Sequence, residues 1–181
     1  MSNVIIGIVG VILFIGLAIA GATFIGPLMT DGTVQKDAVV TLNSISQTAA
    51  AARVYKMRTG QYAPTALNSV DTLISSGILS TRPENPLVPA NYPVILDANG
   101  AMTGRPAYVL MWLGDSDQAM NACIEIEIQA NRNDRLDPAV MSQPVNFLSR
   151  ATPSNPGCHR NVESFGGIGG TPNQYVAFFP I

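Results

Sequence analysis

The chain has 181 residues, a formal net charge of −2, and charged side chains at only 12% of its positions, about half the share usual in globular domains. Its 10 basic side chains do not outnumber its 12 acidic ones, so the charge balance argues against nucleic acid as a main partner. The low charge favours a surface that is neutral or packed against other copies. The length allows one membrane segment and one domain of about 125–150 residues.

Residues 1–30 contain no Asp, Glu, Lys or Arg. Their apolar centre, from Val4 to Met29, would form a helix of about 39 Å, which can cross a hydrocarbon core of about 30 Å with some tilt. Small residues at four-residue spacing, such as Gly16 and Ala20, let helix backbones approach closely in an apolar medium. The residues assigned to this membrane or polymerisation helix are Met1, Ile5, Gly7, Gly10, Phe14, Gly16, Gly21 and Phe24.

Three interpretations of this segment compete. A cleaved secretory signal would use Ala18-Ile19-Ala20 as its cleavage site, but Met1-Ser2-Asn3 lacks the basic residues that open such a signal. A single-span anchor for a domain outside the membrane is the second interpretation. The third is a helix that packs against copies of itself in a filament core. The glycines favour the third only modestly, because glycine is common in membrane helices generally.

Gly26-Pro27 predicts a break in this helix, because proline lacks an amide hydrogen and clashes with the preceding turn. From Val34 to Thr59, apolar residues then recur at spacings of four, three, four and three positions, which predicts an amphipathic helix. That stripe consists of Ala38, Leu42, Ile45, Ala49 and Ala52. Its alanines suit close packing on a sheet or on another helix.

Three basic residues, Arg53, Lys56 and Arg58, lie near the end of this second helix, where positive charge complements the helix dipole. We interpret them as a solvated helix end, with binding of DNA or of an acidic partner as the less favoured alternative. Gly60 is a natural stop for the helix. The predicted organisation is therefore an apolar helix over residues 1–30, its amphipathic continuation over 31–60 and a globular head over 61–181.

The head is predicted to be an α+β unit in which the long helix packs on an antiparallel sheet. A short helix over Leu67 to Leu79, ended by Gly77, precedes a proline-rich loop from Arg82 to Pro93 that cannot be a central strand. Three segments predict strands: Pro93 to Asp97 at a sheet edge, Ala107 to Leu113, and Gln174 to Pro180.

A further strand is predicted over Ala122 to Ala130, where two sets of residues alternate along the chain. One set is Ala122, Ile124, Ile126 and Ile128, and the other is Cys123, Glu125, Glu127 and Gln129. We expect this strand to be half-buried, with Cys123 on its outer face, and to pair antiparallel with the strand before it.

Residues 131–173 are predicted to be mostly irregular, and a loop of this length in a compact domain needs a tether. The two cysteines, Cys123 and Cys158, most simply pair with each other if the head lies outside the cytoplasm. Such a disulfide would close a loop of about 36 residues and contribute roughly 3–4 kcal/mol.

The order of these parts resembles a type IV pilin, and four stretches resemble type IVb pilins, the group of the toxin-coregulated and conjugative pilus pilins. The stretches are Leu42-Asn43-Ser44-Ile45, Gly60-Gln61-Tyr62-Ala63-Pro64-Thr65-Ala66, Leu73-Ile74-Ser75-Ser76-Gly77-Ile78-Leu79 and Glu84-Asn85-Pro86-Leu87. The similarity covers most of residues 1–87 and, loosely, the cysteine-bearing end. Cys123 and Cys158 match the family's disulfide in position and context.

The resemblance implies a subunit that waits in the inner membrane and is then polymerised into an extracellular pilus, a homopolymer of such chains. A pilus assembly machinery, a prepilin peptidase and N-terminal methylation are implied with it. Such pilins usually carry a glutamate near the start of the mature helix, which registers an incoming subunit. Ile5 stands at that position if Met1 is the first mature residue, as we expect, so registration would rely on helix packing and contacts between heads.

No catalytic set is apparent, and we expect neither an enzyme nor a cofactor. His159 is the single histidine, so a two-histidine metal site and a Ser–His pair are both poorly supported, and we expect it to be exposed in a loop. The carboxylate pairs Asp115 and Asp117, and Asp134 and Asp137, lack the ligand spacing of a calcium hand.

Three other features have ordinary structural interpretations. Glu125 and Glu127 are expected on a solvated or subunit-facing side, and the glycine run at 166–170 lacks the Lys-Ser/Thr of a phosphate loop. The aromatic residues expected in the core are Trp112, Tyr175, Phe178 and Phe179. The leading hypothesis is therefore a filament subunit. The alternative is a membrane-anchored or minor tip protein that displays residues 131–173 for binding, and an anchored enzyme is the least favoured.

Overall fold

A computed structural model of the chain describes residues 32–64, 69–96, 107–131, 137–142, 155–161 and 172–181. The expected apolar helix over residues 1–30 and the Gly26-Pro27 break lie outside these ranges, so both remain predictions. Within the ranges, no helix has the length and apolar character needed to cross a membrane.

Helix α1 covers residues 32–59 of the described chain and lies on the sheet through its predicted alanine-rich stripe. Ala38, Ile45, Ala49 and Ala52 are buried in the main core cluster, and Leu42 is partly buried against it. Small side chains at these positions let the helix backbone approach the strands closely. Beyond the helix, the Gly60 amide donates to the Lys56 carbonyl at 2.8 Å, and the positive φ of +81° at Gly60 turns the chain away.

Four antiparallel strands form the sheet in the described part of the chain, in the order β1-β2-β4-β3. The strands are β1 (Val94–Leu96), β2 (Tyr108–Gly114), β3 (Gly157–Arg160) and β4 (Tyr175–Pro180). The register pairs Ile95 with Val109, Met111 with Ala177, and Cys158 with Ala177. The three strands predicted near Val94, Tyr108 and Tyr175 are confirmed, with β1 at an edge of the sheet as expected.

Both faces of this sheet are buried, which explains why β2 reads as an unbroken apolar run. The face toward α1, which we call the helix face, contributes Ile95, Val109, Met111, Leu113, Tyr175 and Ala177 to the main core cluster. The opposite face, which we call the far face, forms a second buried cluster of Val94, Leu96, Tyr108, Leu110, Trp112, Val176 and Phe178. Alternate side chains of each strand therefore enter different apolar layers.

Helix α2 (Ser69–Ser75) lies within the predicted range of Leu67 to Leu79 and packs against β1. Its end is fixed by two backbone hydrogen bonds, from the Gly77 amide to the Ile74 carbonyl at 2.9 Å and from the Ile78 amide to the Leu73 carbonyl at 3.0 Å. Gly77 has a φ of +71°, which glycine adopts without strain. The expected role of Gly77 as helix terminator is confirmed.

Residues 117–129 form helix α3 (Asp117–Gln129), so the strand predicted over Ala122 to Ala130 is wrong. The Ser116 side chain caps the helix by accepting from the Ala119 amide at 3.2 Å. The buried side chains fall at helical spacing, on Ala119, Ala122, Cys123, Ile126 and Glu127. Cys123 therefore lies on the inner side of a helix rather than on the outer face of a strand.

The prediction that residues 131–173 are mostly irregular misses two elements, helix α4 (Pro138–Met141) and strand β3. Asp137 begins α4, because its Oδ1 accepts from the Ala139 amide at 2.8 Å. Strand β3 pairs with β4 and contacts α3. Its four residues are Gly, Cys, His and Arg, a composition without the apolar or alternating pattern on which strand prediction depends.

Both edge strands of the described sheet meet a helix side chain. On β1, the Ile95 amide donates to the Ser69 Oγ of α2 at 2.9 Å. On β3, the Cys158 amide donates to the Glu127 carboxylate of α3 at 2.5 Å. An outward amide on an edge strand has no strand to pair with, and here a side chain supplies the missing acceptor.

Candidate functional site

The side of α1 that faces away from the sheet is the first candidate for an interaction surface. We call it the outer stripe and define it by Val39, Asn43, Gln47, Ala50 and Met57, which lie within about one quadrant of the helix at 100° per residue. All five are exposed, with Val39 at 44% and Met57 at 77% of full exposure. No charged residue occurs between Asp37 and Arg53, so most of the outer stripe is neutral.

The proline-rich loop forms two adjoining surface clefts. One has a volume of about 490 Å³ and is lined by residues from Arg82 to Tyr92. The other has a volume of about 430 Å³ and lies between that loop and α1, where Asn43 and Gln47 line it. Arg82, Pro83 and Glu84 belong to both clefts, so the two form one groove beside the outer stripe.

The loop that builds this groove is fixed by hydrogen bonds from two side chains, Asn85 of the loop and Ser44 of α1. Asn85 is buried, and its Nδ2 donates to the Trp112 carbonyl of β2 at 2.8 Å. The Asn85 Oδ1 accepts from the amides of Leu87 and Val88, both at 3.1 Å. The Ser44 Oγ of α1 donates to the Glu84 carbonyl at 2.6 Å. The groove therefore has a defined shape although three of its lining residues, Pro83, Pro86 and Pro89, are prolines.

Arg82 occupies the junction of the two clefts. Its Nε and Nη2 each donate to an oxygen of the Asp71 carboxylate at 2.8 Å, and its guanidinium lies 4.7 Å from the centre of the Tyr92 ring. Two contacts raise the pKa of Arg82 above its ordinary value. The contact with the Tyr92 side chain has the larger effect, and the contact with Asp71 has the next largest. Because the pair is solvent-exposed, it orients these side chains more than it stabilises the fold.

The predicted disulfide between Cys123 and Cys158 is present and joins α3 to β3. Both cysteines are buried, and so are Glu127 on α3 and His159 on β3. The interpretation of Glu127 as a solvated side chain is therefore wrong, and so is the expectation that His159 is exposed. The His159 ring lies on the far face, 5.4 Å from the ring of Phe178. Glu125, in contrast, is only partly buried and accepts from Gln129 at 3.1 Å.

The remaining predicted residues are placed as follows. Asp115 and Asp117 are exposed, Asp137 caps α4, and Asp134 and the glycine run at 166–170 lie outside the described residues. Across the described ranges, no cluster of three or more metal-ligating side chains occurs. Trp112, Tyr175 and Phe178 are buried as predicted, and Phe179 is partly buried. Burial is the main cause that raises the pKa of Tyr175.

The basic residues at the end of α1 are exposed, as predicted. Arg53 donates to the Pro180 carbonyl at 3.2 Å, and the Lys56 ammonium lies 4.2 Å from the centre of the Tyr62 ring. These contacts tie the helix end to the last strand and to the segment after the helix, in line with the interpretation as a solvated helix end.

Comparison of the chain with protein-family models, with curated proteins and with solved structures finds no match.

The polymerisation residues from Met1 to Phe24 lie outside the described residues, so the structure does not place them beside the outer stripe or the groove. Sequence reasoning missed the groove because it depends on contacts between Asn85 and β2 that are distant in sequence. It did not single out the outer stripe either, although the absence of charge between Asp37 and Arg53 was a usable signal.

Proposed function

We propose that the chain is a structural subunit of an extracellular filament of the type IV pilus kind, polymerising through the uncharged segment over residues 1–30. The observation that carries the proposal is the junction at Asp31. On one side lie 30 residues without a charged side chain, and on the other α1 begins, which packs on the sheet of the head from Ala38 onward. An apolar segment attached in this way to a folded head needs an apolar environment.

Two environments can serve this segment in turn. Lipid would surround it before assembly, as it does for any apolar stretch long enough to span a bilayer. After assembly, the same segments of other copies would replace the lipid. Because lipid chains are as apolar as leucine, this exchange depends on close packing of the helices. The small residues at four-residue spacing in residues 1–30 would permit that packing.

The described part of α1 supports the proposal through its two sides. Its alanine-rich inner side packs on the sheet, whereas the outer stripe exposes Val39 and Met57 on a helix face that carries no charge between Asp37 and Arg53. Exposed apolar side chains that continue from an apolar segment suggest a surface that other copies cover. The heads of neighbouring subunits would then enclose the outer stripe and leave the loops of the head outside.

The experiment is electron microscopy of sheared surface filaments, with mass spectrometry of the subunit and of its N-terminal residue. Ala50→Glu places a charge in the middle of the outer stripe, so we expect filaments to be lost while the membrane-bound subunit still accumulates. Ala139→Glu introduces the same side chain at an exposed position of α4 and should leave filament yield unchanged.

Two outcomes would contradict the proposal. One is the absence of this chain from purified filaments, and the other is normal filament yield in Ala50→Glu. Both variants should first show wild-type circular dichroism and thermal unfolding in detergent, so that a folding defect is not mistaken for an assembly defect.

The groove beside Arg82 favours a second candidate, a membrane-anchored or minor tip subunit that binds a partner through its head. Copy number separates the two candidates, because a tip subunit would be scarce in sheared filaments whereas a major subunit would dominate them. Under either candidate, an assembly machinery and a prepilin peptidase would act on the chain, and N-terminal methylation would be found on the mature protein.

A further inference from the structure

We propose that Glu127 is a positioning residue for the Cys123–Cys158 disulfide. Its carboxylate holds the backbone of Cys158 against α3, so that the two sulfur atoms meet when the thiols are oxidised. The same hydrogen bond keeps β3 docked on α3 when the disulfide is absent. The inference concerns the fold of the head and does not depend on the proposed filament.

The geometry places both connections on the same residue of β3. Cys123 and Glu127 are one helical turn apart on α3, so they share a side of the helix, and both are fully buried. Cys123 forms the disulfide with Cys158, and the Glu127 Oε1 accepts from the Cys158 amide at 2.5 Å. One turn of α3 thus contacts both the side chain and the backbone of Cys158.

The position of β3 explains why a side chain is needed there. In the described sheet β3 is an edge strand of four residues, paired only with β4. The Cys158 amide donates to Glu127 rather than to β4, and a buried amide without an acceptor is costly. Without Glu127, β3 would lose the hydrogen bond of its outward Cys158 amide, and in the dithiol form Cys158 could rotate or shift away from Cys123.

The redox chemistry follows the usual thiol–disulfide exchange with a small disulfide such as oxidised glutathione. One cysteine thiolate attacks the oxidant and releases one molecule of reduced glutathione, which leaves a mixed disulfide on the protein. The second cysteine then attacks this mixed disulfide and releases a second molecule of reduced glutathione. In sum, two protein thiols and one oxidised glutathione give the protein disulfide and two reduced glutathiones. Glu127 contributes to the second attack, which requires the two cysteines to be adjacent.

The test measures the equilibrium between dithiol and disulfide in glutathione buffers, using the full chain in mild detergent. Alkylation of free thiols followed by mass spectrometry gives the effective concentration of one thiol at the other. Loss of the acceptor of a buried amide changes an equilibrium constant by a factor of about 5–150, so Glu127→Ala should lower the effective concentration by at least about fivefold. Glu127→Gln keeps an acceptor oxygen and should recover part of this loss.

Glu125→Ala is the matched control, because Glu125 is on the same helix but is only partly buried. It should leave the effective concentration unchanged. Equal effective concentrations in wild type and Glu127→Ala would overturn the proposal, and so would a loss in Glu125→Ala as large as that in Glu127→Ala.

A second measurement serves if Glu127→Ala does not fold. In the double variant Cys123→Ser/Cys158→Ser, Glu127 is retained, and we expect the amide hydrogen at position 158 to stay protected from exchange with solvent. Exchange at the rate of an unstructured amide would show that the disulfide alone holds β3, and the proposal would then be wrong.

Discussion

Asn85 connects the proline-rich loop to the sheet through its side-chain Nδ2 and braces the loop itself through its Oδ1, so its replacement should cost more than its size suggests. It is 2% exposed, donates to the Trp112 carbonyl, and accepts from two amides of its own loop. Asn85→Ala would remove one hydrogen bond from the Trp112 carbonyl and one from each of two partly buried amides, so we expect the free energy of unfolding to fall by about 2–3 kcal/mol. Urea unfolding of the full chain in detergent measures this change.

Asn43→Ala is the control for that variant, since Asn43 is exposed on the outer stripe and its loss should change stability by less than about 0.5 kcal/mol. Equal unfolding free energies in the two variants would show that Asn85 does not hold the loop. Asn85→Ala should also alter the groove, because the loop that lines it would lose its contact with β2.

His159 and Glu127 show the limit of reading single polar residues from sequence. Each was expected to be exposed, since polar side chains usually are, yet both are buried. Burial of Glu127 depends on the Cys158 amide, 31 positions further along the chain, and burial of His159 depends on the apolar far face. Neither the Cys158 amide nor the far face is close in sequence to the residue it buries, so no local sequence pattern predicts the burial of these two side chains.

At the scale of secondary structure, α1 and α3 differ in how clearly the sequence shows the helical spacing of their buried residues. In α1 the buried apolar residues Ala38, Ile45, Ala49 and Ala52 recur at helical spacing, so the helix was predictable although Thr41, Ser44 and Thr48 are buried as well. In α3 the buried set includes Glu127, whereas Ile128 is exposed at 46%. Alternation of isoleucine with polar residues from Ala122 onward therefore looked like a strand. The cap at Ser116 and the buried Ala119 precede that window, and a longer window would have favoured a helix.

The end of α2 allows a test of backbone conformation with little change in packing. Gly77 has a φ of +71°, and a methyl group added there would meet no atom within 4 Å. Gly77→Ala should therefore destabilise the chain by about 1 kcal/mol through backbone strain alone. Thermal unfolding followed by circular dichroism measures the change.

Gly32→Ala provides the matching substitution in α1, where the added methyl group also meets no atom within 4 Å. Its φ is not in the strained region, so alanine should be neutral or should stabilise the helix by up to about 1 kcal/mol. Opposite signs for the two variants would support the assignment of Gly77 as the α2 terminator, and a neutral Gly77→Ala would contradict it.

For the whole molecule, three of the four strands of the described sheet were predictable because the far face and the helix face are both apolar. Strand β2 and strand β4 are bounded by polar or proline-containing segments and contain mostly large apolar residues, which suffices to identify them. Strand order was not predictable, since β4 lies between β2 and β3 and this arrangement is set by long-range pairing.

The disulfide should account for a large share of the stability of the head. It joins residues 35 positions apart, and closure of a loop of that length is worth about 4 kcal/mol in the chain-entropy model. Reduction by dithiothreitol should therefore lower the Tm of the full chain by roughly 10 °C. Scanning calorimetry with and without the reductant measures this shift.

The double variant Cys123→Ser/Cys158→Ser should start at the lower Tm and show no further change with reductant. An unchanged Tm of the wild type on reduction would mean that the hydrogen bonds of β3 and the packing of α3 suffice without the covalent link.

The side-chain acceptors at the two edge strands of the described sheet affect how the heads would behave when they are crowded together. In a filament, heads would be held side by side at a local concentration far above that of free protein, a condition in which exposed strand edges recruit one another. Here Ser69 occupies an outward amide of β1 and Glu127 occupies one of β3. A neighbouring head would therefore find one outward amide of each edge strand already occupied, which opposes the addition of a strand there. Copies of this chain could then be stacked and separated again without fusing into a continuous sheet, which reversible assembly requires.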